Sequence, residues 1–319
     1  MTVLGLDLGG TKLAIALFSS NGAILHRDIF AIDKRKGSQV GVLIAESIKK
    51  YIDIAKRDKI SIGAIGISIP GIYYHQTGNV WAPNISGWEN YPLLSEVSSL
   101  PELIEIKVSI DSDRACYILG ETWQGSAQGC KNAIFVAVGT GIGAGILADG
   151  RILRGQGDIA GAVGWMGLLG PFREEYRKCG CFEYHASGTG ITNITRELLR
   201  NNREYKGILK QKQIENISTQ DVFMAYKKVD TIALQVINDA ITYWGMAVAN
   251  LVSTFNPEKI IFGGGIFGPA AEFLTKIEEE AGKWSQPISM SQVQFAVSAL
   301  GGDAGLYGAG KLALESITK

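Results

Sequence analysis

Two stretches of this chain repeat the same local pattern, in which a short apolar strand leads through a glycine-rich turn into a second apolar strand. In the first stretch, the turn Asp7–Lys12 lies between the apolar runs Val3–Leu8 and Leu13–Ser19. In the second stretch, the turn Gly139–Gly143 follows the apolar run Ala133–Val138. Short apolar runs bounded by glycine are typical of buried strands. The repetition therefore predicts an α/β chain with two similar domains around a cleft.

The rest of the pattern predicts how each domain is completed. An Asn21-Gly22 hairpin signal precedes a third strand, and apolar residues at helical spacing follow over Val40–Ala55. Further elements are predicted as strands over Ser61–Ile69, Ile106–Ile110 and Lys259–Phe262, a helix over Ala115–Gln124, and a helical region over 191–255 interrupted near 201–219. We place one domain over residues 1–111 and the second over 112–303, with a helix over 304–319 as the candidate to complete the first.

Composition excludes several classes of function. The 31 Lys and Arg residues balance the 31 Asp and Glu residues, so no broad attraction for nucleic acid or an anionic membrane is expected. No apolar run of about 18 residues predicts a membrane span, and no basic segment followed by an apolar stretch opens the chain. Four cysteines are too few for a disulfide framework in 319 residues. We therefore expect a cytoplasmic protein that acts on small molecules.

The first glycine turn carries the groups that bind a phosphate. Gly9 and Gly10 lack a Cβ, so backbone N–H groups can approach an anion closely. Thr11 and Lys12 add a hydroxyl and a cation, and Asp7 can hold Mg²⁺ directly or through water. Taken alone, this turn is equally compatible with a plain glycine hairpin, because short glycine motifs have many false positives.

Two further glycine runs extend the hypothesis to a whole nucleotide. The second turn contains Gly139, Thr140, Gly141 and Gly143, and a third run after a buried strand contains Gly263, Gly264 and Gly265. Matching turns in the two repeats favour opposing phosphate clamps, and the third run suits a flat ligand that lies on backbone. The sequence has neither the Rossmann fingerprint G-x-G-x-x-G at its first turn nor the P-loop motif G-x-x-x-x-G-K-[ST].

These motifs, together with several others, resemble almost end to end the ROK family (repressor, open reading frame, kinase) within the actin-like ATPase (ribonuclease H-like) superfold. The matching segments are Asp7–Lys12, Pro70-Gly71, Ala82-Pro83-Asn84, Asp113 through Gly120-Glu121, Gly139–Gly145, Gly180–Glu183, Asn256–Gly264 and Asp303–Ala309. The resemblance implies two α/β domains around a cleft and an ATP-dependent kinase that phosphorylates a hydroxyl of a sugar or sugar-like substrate.

The resemblance also implies roles for single residues. Asp113 corresponds to the family's general base, and the cofactors would be ATP and Mg²⁺. Asn84, Ser112, Trp165 and Glu183, together with Asp113, would contact the acceptor. A homodimer is expected. Without the resemblance, Asp113 would be read as a carboxylate that complements the dipole of a helix start. Asp111 does not match the register of the base.

Three departures from the family pattern concern the acceptor side. The family's Glu-x-Gly-His motif falls on Ala162-Val163-Gly164-Trp165, so its sugar-binding glutamate and its histidine are replaced. Only Cys181 of the family's cysteine cluster is in register, and Tyr176 falls where another ligand is expected, so we predict no zinc site. Ser112 replaces the asparagine that precedes the base.

Other functions remain open at this stage. Repressors of the same family carry a helix-turn-helix domain before the first glycine turn, and the start of that turn at Asp7 leaves no room for one. A sugar-binding regulator without catalysis is compatible with the altered pocket. Among kinases, an amino-sugar, a heptose or a cyclitol is the alternative acceptor. His26 and His75 are expected to lack partners, and core packing is favoured for Trp81 and Trp88.

Overall fold

A computed structural model describes residues 1–318 and contains two five-stranded sheets. The N-terminal strands are β1 (Thr2–Leu8), β2 (Lys12–Ser19), β3 (Ile24–Ala31), β4 (Ile62–Ile69), a short hairpin of β5 (Ile72–Tyr74) and β6 (Asn79–Trp81), and β7 (Lys107–Ser112). The first sheet has the order β3-β2-β1-β4-β7. Its first three strands pair antiparallel as a meander, and β1, β4 and β7 pair parallel.

The second sheet repeats this topology. Its strands are β8 (Ala133–Val138), β9 (Ile142–Ala148), β10 (Arg151–Ile152), β11 (Lys259–Gly263) and β12 (Gln294–Val297), in the order β10-β9-β8-β11-β12. The meander is again antiparallel, and β8, β11 and β12 are again parallel. The prediction of two similar α/β domains is confirmed. β12 was not predicted, since its residues are partly exposed and show no alternation.

Helices cover the two sheets. They are α1 (Ser38–Arg57), α2 (Leu93–Ser98), α3 (Asp113–Gln124), α4 (Tyr176–Cys179), α5 (Cys181–Ala186), α6 (Gly188–Asn201), α7 (Thr219–Lys227), α8 (Thr231–Phe255), α9 (Leu274–Gly282), α10 (Pro287–Gln292) and α11 (Ala304–Thr318). The predicted interruption near 201–219 separates α6 from α7. A second interruption, between α7 and α8, was missed, and there Asp230 caps α8 through two backbone N–H groups. Within residues 1–318, no helix has the length and apolar character required to cross a membrane.

Each sheet has its own apolar core, and helical spacing explains which side chains enter it. Val40, Ile44, Ile48 and Tyr51 recur along one face of α1 and are fully buried against the first sheet. α8 is buried over most of its length against the second sheet. Full burial of such side chains contributes about 1.5–3 kcal/mol each, which makes the two cores the main source of stability.

The C-terminal helix α11 joins the two halves through glycine contacts. A Cβ at Gly308 would lie 1.8 Å from the carbonyl oxygen of Cys116 on α3, so the two helices touch backbone to backbone. On its other side, a Cβ at Gly66 of β4 would lie 1.9 Å from the carbonyl oxygen of Ala309. Leu306 and Ala313 of α11 are buried in one apolar cluster with residues of β1 and β2. α11 therefore fixes the start of α3 beside the end of β1, and the predicted domain bounds stay a prediction.

We expect Gly308→Ala to destabilise the protein by at least about 2 kcal/mol, because its methyl group cannot fit against the carbonyl of Cys116. Gly282→Ala is the matched control, since Gly282 also lies in a helix but a Cβ there would meet nothing within 4 Å. Helical Gly→Ala changes are otherwise neutral or stabilising. The measurement is the free energy of unfolding in urea. Equal values for the two variants would contradict this account of α11.

Candidate active site

Asp113 lies at the first position of α3, directly after β7. The Ser112 side chain caps the helix by accepting a hydrogen bond from the backbone N–H of Ala115 (3.3 Å). The Asp113 carboxylate accepts hydrogen bonds from the backbone N–H of Arg114 (2.8 Å) and from the Tyr117 hydroxyl (3.3 Å). Burial raises the pKa of Asp113, while the charge of Arg114 and both hydrogen bonds oppose that shift. The result is a fixed carboxylate whose basicity is increased by burial.

Asp7 lies near the end of β1 and shares this environment. The hydroxyl of Ser68 on the neighbouring strand β4 donates a hydrogen bond to Asp7 Oδ1 (2.7 Å). Burial, together with the negative charges of Asp113 and Asp303, raises the pKa of Asp7 to about 6, although the Ser68 hydrogen bond and the charge of Lys12 oppose the shift. Asp303 is itself held by a two-pronged ion pair with Arg27 (2.6 and 2.8 Å). A carboxylate in such surroundings is a good oxygen ligand for a divalent cation.

The first glycine turn lies beside Asp7. The backbone N–H of Gly9 donates to the carbonyl of Lys12 (2.9 Å), which closes the turn. Gly10, Thr11 and Lys12 are exposed, and a Cβ at Gly10 would lie 3.9 Å from the Cβ of Asn84. The structure thus brings the predicted phosphate turn together with the predicted acceptor residue Asn84, although they are far apart in sequence.

The second and third glycine runs meet at one cavity of about 530 Å³. Gly139, Thr140 and Gly265 line it. Gly263 and Gly264 do not, because a Cβ at these positions would lie within 2.2 Å of the Phe135 ring and 2.5 Å of the Val138 carbonyl oxygen. These two glycines therefore allow close packing against β8. In the second turn, Gly141 packs against the Glu183 carboxylate and Gly143 against the Arg114 side chain.

The same cavity has walls that the sequence did not reveal. They come from α6, from the segment before α7 and from α7 itself, and they include Thr189, Asn193, Arg196, Ser218 and Gln220. These side chains are polar residues of ordinary surface type and belong to no motif. Their helical position gives no signal of a ligand, so only the packing of α6 and α7 against the glycine turns identifies them.

Glu183 supports the second glycine turn from the acceptor side. Its Oε2 atom accepts a hydrogen bond from the backbone N–H of Ile142 (2.6 Å). Burial raises the pKa of Glu183, and this hydrogen bond opposes the shift. A Cβ at Gly164 would lie 3.1 Å from the Glu183 side chain, so the short helical turn Val163–Trp165 packs directly on it. Trp165 is 57% exposed.

An aromatic cluster occupies the region where the family's zinc ligands would fall. The Tyr176 hydroxyl and His185 Nε2 lie 2.8 Å apart, and the His185 ring stacks on Tyr243 at 4.3 Å. Burial, followed by the charge of Arg173, lowers the pKa of His185 to about 4. Among residues 1–318, no group of three or more His, Cys, Asp or Glu side chains is arranged to hold a metal ion. The zinc prediction stays a prediction.

The expectation that His26 and His75 lack partners is wrong. The expectation of core packing is confirmed for Trp88 but not for Trp81. His75 lies 2.8 Å from Asp158, and His26 lies 2.8 Å from Asp58, so both histidines have carboxylate partners. Trp88 is fully buried and stacks on Tyr91 at 4.4 Å, as core packing requires, whereas Trp81 is 38% exposed.

The partner of His75 also connects the two halves of the molecule. His75 follows the β5 strand of the first half, and Asp158 lies in the loop after β10 of the second. Close by, Arg154 donates two hydrogen bonds to the buried Asp111 carboxylate (2.6 and 3.1 Å). These pairs bridge the cleft beside the start of α3.

The chain is similar over nearly its whole length to proteins of one family. A model described as the ROK family matches residues 3–316. The chain is 32% identical over 312 residues to a glucokinase of Halalkalibacterium halodurans, covering 97% of this chain and 94% of that protein. It is 25% identical over 277 residues to an N-acetyl-D-glucosamine kinase of Haemophilus influenzae, covering 82% and 83%. A Streptomyces griseus ROK glucokinase solved with glucose and AMPPNP superposes with a TM-score of 0.74 at 25% identity, covering 99% and 100%.

The lowered pKa of His185 predicts a pH-dependent stability. Below pH 6.5 the unfolded chain protonates this histidine, whereas the folded chain does not until about pH 4, so the free energy of unfolding falls as pH falls through this window. We compare Tyr176→Phe, which keeps His185, with Tyr176→Phe/His185→Phe, which keeps the ring stacking. Between pH 7 and pH 5, the free energy of unfolding should fall less for the double variant than for Tyr176→Phe. The expected difference is on the order of 1 kcal/mol after allowance for solvent screening. Parallel curves would refute the assignment.

Proposed function

The chain belongs to the ROK family and is an ATP-dependent sugar kinase, and we propose that Asp113 is the general base of its phosphoryl transfer. The observation that carries this proposal is the convergence of Asp113 and Asp7 at the point where α11 holds α3 against β1, beside the first glycine turn. A partly buried, hydrogen-bonded carboxylate between a proposed phosphate turn and a proposed acceptor site is suited to accept the proton of a hydroxyl.

Asp113 would act through its position and its basicity. The backbone N–H of Arg114 fixes one carboxylate oxygen, and the Tyr117 hydroxyl touches the other. The start of α3 stabilises the ionised form, while burial keeps it a better base than a solvated aspartate. As the acceptor oxygen attacks the γ-phosphorus, its proton passes to Asp113 and the bond from the γ-phosphorus to the ADP oxygen breaks.

The glycine turns would position the donor. Gly9, Gly10, Thr11 and Lys12 from one side, and Gly139, Thr140, Gly141 and Gly143 from the other, are proposed to surround the phosphates of ATP. Gly263, Gly264 and Gly265 were proposed for adenosine, and the cavity lining supports Gly265 as the one in contact. Asp7 is the proposed Mg²⁺ ligand, since Mg²⁺ is commonly held by one or two carboxylates together with phosphates. The ion would neutralise charge on the transferring phosphate.

The acceptor would lie between Asp113 and Glu183. Asn84, Ser112, Trp165 and Glu183 are the proposed contacts. Glu183 uses one oxygen to hold Ile142, which leaves the other available for a sugar hydroxyl. The Ser112 oxygen accepts one hydrogen bond from the start of α3, which leaves its O–H as a donor and its second lone pair as an acceptor. For the acceptor, an amino-sugar, a heptose or a cyclitol is the proposed alternative to a hexose. A homodimer, a cytoplasmic location and the lack of zinc stay predictions.

We expect Asp113→Asn to reduce kcat by about 10²–10⁴ while ATP binding changes little, because only the proton acceptor is removed. The measurements are steady-state turnover and calorimetric ATP binding. Asp239→Asn is the control, since Asp239 is an exposed aspartate on α8. Near wild-type turnover of Asp113→Asn on the best acceptor would exclude Asp113 as the base, and the same loss in Asp239→Asn would make the effect nonspecific.

We also expect a low kcat/KM for glucose. A hydrogen bond to a charged group is worth roughly 1.5–3 kcal/mol, and Ala162 and Trp165 supply no charged acceptor. Glucose should therefore be about ten- to a hundredfold less efficient than the best acceptor in a panel of hexoses, amino-sugars, heptoses and cyclitols. Comparable or higher efficiency on glucose would mean that Glu183 and nearby backbone replace the missing contacts.

A further inference from the structure

A second cavity, of about 680 Å³, lies within the loop that connects the short turn at Trp165 to α5. Its main lining residues are Trp165, Leu168, Leu169, Phe172, Tyr176 and Gly180. The volume is within the range of about 300–1,000 Å³ that pockets for small organic ligands occupy. This loop cavity is separate from the nucleotide cavity, with which it shares no lining residue.

The loop cavity is apolar although it is open to water. Trp165 is 57% exposed, Phe172 62% and Leu169 43%, so three large apolar side chains of one loop face solvent. The one cation of its lining, Arg177, lies over the Phe172 ring at 5.3 Å and pairs with Glu174 at 2.8 Å. A charged ligand would find no unpaired partner there, whereas an apolar group would remove three exposed side chains from water.

The loop cavity adjoins the proposed acceptor site. Gly180 lines the cavity, and a Cβ there would lie 2.4 Å from the Cα of Trp165 and 2.3 Å from the Gly164 carbonyl oxygen. Gly164 in turn packs on the side chain of Glu183. Only one layer of backbone therefore separates the Glu183 carboxylate from the wall of the loop cavity. Trp165 lies between the proposed acceptor site and this cavity.

Hydrogen bonds and ring stacking fix the side chains that form the floor of the loop cavity. Tyr176 lines it and is fixed from behind by its hydrogen bond to His185, which stacks on Tyr243. The neighbouring Cys181 is buried, and the backbone N–H of Phe182 donates to the Met166 carbonyl (3.2 Å). These contacts hold the two ends of the loop together.

From these observations we propose that the acceptor carries an apolar alkyl, acyl or aryl substituent, and that the loop cavity binds this substituent against Trp165 and Phe172. The inference rests on the proposed function, because it takes the sugar ring to lie at Glu183. The substituent replaces a hydroxyl on the side of the ring that faces Ala162 and Trp165, neither of which offers a charged hydrogen-bond acceptor. A rigid aromatic wall and a neutral lining favour such a group over a charged one or a bare hydroxyl.

The test is binding of two homologous series, alkyl β-glucosides from methyl to hexyl and N-acyl glucosamines from acetyl to hexanoyl, measured by calorimetry on the full chain with ADP present. In at least one series, the Kd should fall about fourfold for each added methylene until the cavity is filled. Trp165→Ala and Phe172→Ala should flatten that series. Trp284→Ala is the matched control, because Trp284 is also 57% exposed but lies after α9, outside the lining of the loop cavity.

ATP consumption is measured on the same compounds, which separates this inference from the kinase proposal. A series that tightens with chain length but yields no phosphoryl transfer would support the loop cavity and contradict the proposed function. Phosphorylation of unsubstituted sugars with no dependence on chain length in either series would overturn the inference and leave the kinase proposal standing. Equal flattening by Trp284→Ala would also overturn it. All three side chains are exposed, so the variants should fold, and unchanged unfolding temperatures verify this.

Discussion

The backbone contact between α3 and α11 is the constraint on which the candidate active site depends. Gly308 allows the carbonyl of Cys116 to approach at a distance that no side chain would permit, and Gly120 makes the reciprocal contact with Ala304. The other face of α11 lies as closely on β4 at Gly66. Because each of these contacts is set by backbone atoms, the relative position of β1 and α3 has little freedom. Asp7 and Asp113 are held at the ends of these two elements.

That placement has an electrostatic cost. The negative charges of Asp113 and Asp303 act on Asp7 in a partly buried region, and burial raises the pKa of both Asp7 and Asp113. Ser68, the Arg114 backbone and the ion pair with Arg27 offset part of the cost. Concentrated negative charge that is only partly compensated is typical of a site that gains a cation with its substrate. The two apolar cores therefore supply most of the stability, and the local electrostatic cost falls at the proposed catalytic site.

The acceptor side follows a different principle. Where the family pattern has a charged sugar ligand and metal-binding cysteines, this chain has Ala162, Trp165 and Tyr176. In this region Tyr176, His185 and Tyr243 form one stacked, hydrogen-bonded cluster. The same replacement exposes aromatic surface at the edge of the pocket. Loss of polar recognition and gain of apolar surface are thus two results of one set of substitutions.

The sequence by itself determined the repeated strand–turn–strand pattern, the two-domain fold class and most strand positions, because apolar periodicity and glycine turns are local signals. Its motifs also predicted Asp7, Asp113 and the glycine turns as candidate site residues. Only the tertiary structure decided which glycines line a cavity and which allow packing, as Gly265 and Gly263 illustrate. The same holds for the partners of His75 and His185, for the polar walls contributed by α6 and α7, and for the loop cavity. Each of these features depends on residues that are far apart in the chain but close in space. Local sequence patterns do not predict such contacts.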